Sequence, residues 1–254
     1  MRRVVLGDAA RDGQGLTDLL ARLRGDANWA FLRPKRGGLR DRFDERLNSH
    51  LARAESGSLA GMVATTPTTA DSAPAQQVPP GHFAFEPAGM AAFRALARLA
   101  AHPERAERAR AEIRDRDGSG WQNLPCLRAC VLKSLRLWPT TPMVLRQTTD
   151  ATTWDGAAMP ERTGLLIVAP YLDRDERSLP AADRFAPELW RGDCSAADCR
   201  LIPFIGGPAV CPGQNLVLLL TGAMLAALLR RTLIRFAPPT RLDPRRPLPV
   251  TLNT

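Results

Sequence analysis

The segment PFIGGPAVCPG, residues 203 to 213, sets one cysteine in a glycine- and proline-rich loop directly ahead of an apolar run, Leu216 to Leu229. Gly206 and Gly207 allow positive φ and close approach of the backbone to another group. Pro212 suits the first turn of a helix, and Gly213 leaves space over whatever Cys211 faces. The N-terminal end of a helix carries partial positive charge and free N–H groups, which stabilise a thiolate and lower the pKa of its thiol. That chemistry suits an anionic sulfur ligand held rigidly against a flat cofactor. The plainer alternative for Cys211 is a small buried hydrophobe in a turn.

Other reactive side chains form weaker patterns. Cys126 and Cys130 lie four apart on one expected helix, and Cys194 and Cys199 lie in a loop. Neither spacing is the C-x-x-C of common zinc sites, so a four-cysteine zinc centre is set aside. His50, His82 and His102 are far apart, and His102 before Pro103 reads as a helix cap. No Gly-Lys-Ser/Thr phosphate loop and no G-x-G-x-x-G dinucleotide motif occurs.

The elements that position these groups are read from periodicity. Leu16, Leu19, Leu20 and Leu23 fall on one face of a short helix over 16–25. Leu39, Phe43, Leu47 and Leu51 repeat by four in an amphipathic helix over 39–54. Residues 85–101 form a long helix, and Pro103 opens the next, a charged helix over 104–116. Leu124 to Leu137 is a helix stopped by Trp138-Pro139, residues 143–150 and 163–168 are strands, and 213–231 is an apolar helix followed by a strand at 233–236. The fold class is mainly α with small β-sheets.

The chain has 254 residues, 44% of them hydrophobic and 24% charged, which excludes a disordered or fibrous chain. The Thr-, Pro- and Gln-rich stretch 65–81 reads as a flexible linker between an N-terminal helical segment, 1–64, and a helical core with small strands, 82–254. A formal net charge of +9 suits an acidic partner. Arginine is spread along the chain, without a nucleic-acid reading module, so nucleic acid is not expected. No signal-peptide or membrane-spanning run is seen, and the five cysteines form no disulfide framework. A cytoplasmic monomer is the expectation.

The spacing Phe204, Gly207, Cys211, Gly213 resembles the haem-binding loop of the cytochrome P-450 family, F-x-x-G-x-x-x-C-x-G. Three further segments resemble the family in the right chain order. Residues 83–104 look like its long helix over the haem and the following H-P-E turn, 127–146 like its E-x-x-R helix and next strand, and 181–190 like its meander. The resemblance covers roughly residues 80–236 and implies a bacterial-type member shortened at its N-terminus, with the C-terminal part of the family fold. Residues 1–64 would then be its D-to-G helices, and 82–254 its haem-binding core.

The resemblance implies haem b held by Cys211 as axial thiolate, with Phe204, Gly207 and Gly213 shaping the loop. Thiolate donation to iron favours O–O cleavage, so the implied activity is monooxygenation of a small organic substrate. Arg146 falls where the family sets a basic residue against a propionate, which a guanidinium suits. Glu86 falls at the acid of the catalytic acid–alcohol pair. Electrons would come from an acidic ferredoxin or flavoprotein docking near Cys211, with Arg128, Lys133, Arg230 and Arg231 as contacts. The alternative is an inactive remnant without haem.

Several residues depart from the family pattern. Ala209 replaces a propionate-binding arginine, Pro87 replaces the alcohol, and Asp173 stands where a histidine is common. Lys133 replaces the E-x-x-R glutamate while Arg136 is kept. Lys133, Arg136 and the meander arginine, Arg184, would repel in one semi-buried place, with Asp183 or Glu188 as compensating acids.

Overall fold

A computed structural model describes residues 2–27, 33–69, 72–116, 124–177, 179, 182–190, 203–207, 210–235 and 242. The chain divides into two compact units, Met1–Glu86 and Pro87–Thr254.

The first unit is helical: α1 (Arg2–Leu6), α2 (Gly15–Ala27), α3 (Gly37–Arg53), α4 (Leu59–Thr65) and the opening turns of α5 (Val78–Ala101). Its core joins Val5 and Leu6 of α1 to Leu16 and Leu19 of α2 and to Leu39, Phe43 and Leu47 of α3. The four-residue repeat of α3 therefore lies on its buried side, as a 3.6-residue period requires. Ser58 caps α4 by accepting the Gly61 N–H at 2.9 Å. A Cβ on Gly61 would meet the Glu55 carbonyl oxygen at 2.0 Å, so this close approach admits only glycine.

The expected linker is structured at its end. A short 3-10 turn over Pro74–Gln77 leads directly into α5, which begins at the fully buried Val78. Pro79 and Pro80 sit in the first turn of α5, where their missing N–H groups have no helical acceptor to satisfy.

The second unit is built on α7 (Pro125–Leu137), a helix buried on almost every side, with Cys126 and Leu127 through Leu137 inside apart from Arg128. It packs among the rest of α5, α6 (Pro103–Asp115) and α9 (Gln214–Arg231) in a core that includes Leu99, Ile113, Leu127, Leu135, Trp138 and Leu225. Glu112 of α6 ties down the start of α7: its carboxylate accepts the Cys126 N–H at 2.8 Å and the Leu127 N–H at 3.0 Å. These are two of the first-turn donors that a helix leaves unpaired. His102 stands at the N-cap of α6, yet its side chain does not cap that helix. Its Nδ1 instead bonds the Arg98 carbonyl at 2.8 Å, at the end of α5.

Two small antiparallel pairs follow. β1 (Met143–Gln147) pairs with β4 (Gly164–Val168), Met143 opposite Val168 and Arg146 opposite Leu165. Between them β2 (Thr152–Trp154) and β3 (Ala157–Met159) form a hairpin. Its turn, Asp155-Gly156, has φ of 48° and 78°, the left-handed pair that a two-residue hairpin favours. α8 (Ala169–Asp173) succeeds β4. The strand expected at 233–236 does not form over 233–235, which has no ladder partner among the described residues. Residue 236 lies outside the described residues.

Candidate functional site

The cysteine loop is held by its own backbone. The Cys211 N–H donates to the Phe204 carbonyl at 3.0 Å, and Val210 N–H to Gly207 at 3.1 Å. The loop turns through two left-handed residues, Ile205 at φ 63° and Gly207 at φ 66°. Phe204 packs against the core of the second unit and anchors one end. At the other end Gly213 is the N-cap of α9, and the Cys211 carbonyl accepts the Gln214 N–H at 3.2 Å. Phe204, Gly207, Cys211 and Gly213 are thus brought together in one small ring. Cys211 is a free, half-buried thiol at the head of α9.

The surroundings match a flat apolar cofactor with a soft axial ligand. Val210, Leu216 and Leu219, beside the thiol in sequence, expose 48%, 39% and 40% of their surface, an apolar border that water alone does not favour. A Cβ on Gly207 would meet nothing within 4 Å, and the same holds for Gly89 on α5. α5 and α9 meet where the Thr221 hydroxyl donates to the Ala88 carbonyl at 3.5 Å. A free thiol, an apolar border and open space at Gly207 suit a haem.

Glu86 and Arg146 are not tied to this ring by any hydrogen bond among the described residues. Arg146 lies on exposed β1 and its Nη1 donates to the Leu145 carbonyl at 2.8 Å. Glu86 is exposed and forms an ion pair with Arg24 of α2. Pro87 stands at the tenth position of α5, well inside the helix. It cannot donate to the carbonyl of residue 83 and cannot supply the hydroxyl of an acid–alcohol pair. Ala209, Cys194 and Cys199 lie outside the described residues.

The expected cation cluster is present, with different partners. Lys133 and Arg136 are fully buried. Arg136 does not meet Arg184, which is exposed; its guanidinium donates to the backbone carbonyls of Asp173 and Ala182. The main compensating acid is Asp173, with a smaller contribution to Arg136 from Asp183 and none from Glu188. Asp183 faces Arg174 at 3.5 Å, and Glu188 pairs with Arg105. Burial pushes the Lys133 ammonium down to about 7, aided by Arg136 and Arg98 and opposed by Asp173. Burial likewise lifts the Asp173 carboxyl to about 6 against the pull of Arg136 and Arg174. Being buried, Lys133 also leaves the proposed electron-donor face, of which Arg128, Arg230 and Arg231 stay exposed.

Arg98 was not singled out by the sequence. It is 3% exposed, its guanidinium carbon lies 4.5 Å from the Trp138 ring centroid and 5.1 Å from that of Phe185, and burial lowers it to about 10. A mid-helix arginine among alanines carries no motif. Only its place on the inward face of α5 could have flagged it.

The comparisons with known proteins agree with this geometry. Cyclooctat-9-en-7-ol 5-monooxygenase of Streptomyces melanosporofaciens is 35% identical over 152 residues, 57% of this chain and 33% of its own length. The 2-hydroxyisoflavanone synthase of Glycine max is 32% identical over 153 residues, 54% of this chain and 29% of its own. The chain therefore spans about a third of the curated relatives it matches. Among solved structures, one cytochrome P-450 superposes with a TM-score of 0.72 at 21% identity, over 95% of this chain and 61% of its own. A zebra fish cytochrome P-450 solved with abiraterone gives 0.66 at 20%, over 91% and 60%. These structural likenesses establish the fold, mainly α with small sheets. The cytochrome P-450 family model itself matches residues 86–252, from the middle of α5 through the cysteine loop and α9. On that span, well over half of its length, the chain belongs to the cytochrome P-450 family.

Proposed function

We propose that the chain carries the haem-thiolate centre of a monooxygenase acting on a small organic substrate. The observation that carries the reading is the Cys211 ring: a free thiol at the head of an apolar helix, fixed by the Cys211 N–H to Phe204 carbonyl bond. When bound, haem b supplies the iron at which dioxygen is reduced with two electrons and two protons, one oxygen entering the substrate and the other leaving as water. Cys211 would hold the iron through its sulfur and supply electron density to it, and the hydrogen-bonded ring keeps that sulfur in place. Phe204 anchors the ring, while Gly207 and Gly213 keep side chains out of the way.

Glu86 is the carboxylate offered as the acid of the relay, and it is exposed and paired with Arg24. With Pro87 beside it, the relay lacks its hydroxyl, and water has to bridge that step. Arg146, exposed on β1, is the residue offered to a propionate. Exposed Arg128, Arg230 and Arg231, with a net charge of +9, support docking of an acidic ferredoxin or flavoprotein donor. Among the described residues no helix is long and apolar enough to cross a membrane. A cytoplasmic monomer is the state we infer. Within the fold, the first unit takes the place of the D-to-G helices, and the structural likeness over 95% of the chain supports this.

The test is spectroscopic. The chain is expressed with haem precursor, reduced and exposed to carbon monoxide. A strongly red-shifted Soret band is expected in the wild type and is lost in Cys211→Ser. A chain that takes up no haem refutes the reading and leaves an inert scaffold.

A further inference from the structure

The buried cluster around Lys133 contains more positive charge than the protein neutralises. Lys133 and Arg136 are completely buried on α7, and Arg98 is 3% exposed on α5. Lys133 interacts electrostatically with both arginines. Arg174, at the end of α8, adds a fourth cation and stacks 5.8 Å from the same Trp138 ring that Arg98 covers. Against these stand Asp173, itself held back from ionising by burial, and Asp183, which is turned to Arg174.

The hydrogen-bond inventory matches the charge imbalance. The Nζ of Lys133 and the Nε atoms of Arg98 and Arg136 are buried and have no hydrogen-bond partner among the described residues. Buried cationic donors left unpaired are costly, and native proteins normally satisfy them. The family pattern places a carboxylate where Lys133 stands, so this chain has reversed the charge at that position and kept Arg136. Three buried cationic donors of one sign, two of them in electrostatic contact with Lys133, are the kind of group a monovalent anion can neutralise.

We propose that Lys133, Arg98 and Arg136 form a binding site for one small inorganic anion of the chloride type. The anion takes the place of the absent carboxylate: it accepts from the Lys133 ammonium and from the two guanidinium Nε groups. The site lies between α5 and α7 inside the second unit, and its occupancy does not depend on haem.

Thermal unfolding of the full-length chain at pH 6.5 tests the proposal, in sodium chloride against sodium gluconate at equal ionic strength. Chloride raises the midpoint saturably, by about 5–10 °C once it reaches a hundred times its Kd, and gluconate does not. In Lys133→Glu the difference between the two salts disappears, because a carboxylate is then built in. Identical curves in the two salts, or a chloride increment that survives in Lys133→Glu, overturn the proposal. Wild-type crystals soaked in bromide give an independent reading that needs no variant. An anomalous peak within hydrogen-bond reach of Lys133 Nζ supports the site, and water or nothing at that position overturns it.

Discussion

Replacing Lys133 by methionine should stabilise this protein, and by an amount that depends on pH. The side chain is completely buried and its ammonium has no hydrogen-bond partner among the described residues. Its depression from 10.5 to about 7 converts, at about 1.4 kcal/mol per unit, into a penalty of up to about 5 kcal/mol when it is charged. The unfolded chain keeps this proton up to its ordinary pKa, whereas the folded chain releases it near pH 7. Between those values the unfolded state binds more protons, so wild-type stability rises with pH. Below pH 7 the penalty is complete.

Methionine fills much the same volume without a charge. Exchanges of this kind gain about 1–4 kcal/mol, and a gain of about 3 kcal/mol raises the melting midpoint of a chain this size by about 6–12 °C. The assay is circular dichroism melting in gluconate buffer, which removes any small anion from the comparison. At pH 6.5 the methionine variant melts well above wild type. The gap narrows by about 1.4 kcal/mol per pH unit above 7 and closes by about pH 9. Asp173, lifted to about 6 in the wild type, loses one of the cations that hold it down when Lys133 is removed, so its carboxyl rises further in the variant. A variant that melts no higher at pH 6.5, or a gap that stays constant to pH 9, refutes the buried-charge argument.

Two further substitutions probe the helices that frame the cluster. Pro87→Ala should raise the stability of the folded chain by up to about 3 kcal/mol, since position 87 is inside α5 and an N–H there can reach the carbonyl of residue 83; urea titration measures it, and an unchanged midpoint means the helix has already adapted around the proline. Glu112→Ala should cost about 2 kcal/mol by the same assay, because two first-turn N–H groups of α7 lose their charged acceptor.

The helices with a clear repeat were legible, and the reasons are local. Leu39, Phe43 and Leu47 announced α3, and Pro103 opened α6 as its fixed φ allows. The loop at Cys211 was legible because glycines, prolines and one cysteine at fixed offsets admit few conformations. The hairpin of β2 and β3 was passed over, although Asp155-Gly156 is a strong turn signal. Its strands are three residues each, too short to show alternation. The double proline at 79–80 suits a connection and the first turn of a helix equally well, so the start of α5 carries no distinct signal.

The partners of Arg136 were not legible. It reaches the Asp173 and Ala182 carbonyls, 37 and 46 positions away, through a turn-rich segment that carries no periodic signal. Backbone acceptors of that kind leave no trace in residue type. The crowding of charge at Lys133 could be foreseen from its family position, but the neighbour that answers it, Asp173, is set by tertiary packing.

The left-handed turn at Ile205 bears on how portable the cysteine loop is. A β-branched side chain at φ 63° is held against its own preference, at a cost of about 1–3 kcal/mol. A synthetic peptide of residues 203 to 213 would relax at that residue and open. Grafting the loop onto another helical scaffold would therefore require transplanting the socket that receives Phe204 along with it, or trading Ile205 for glycine or asparagine to let the shape persist unaided.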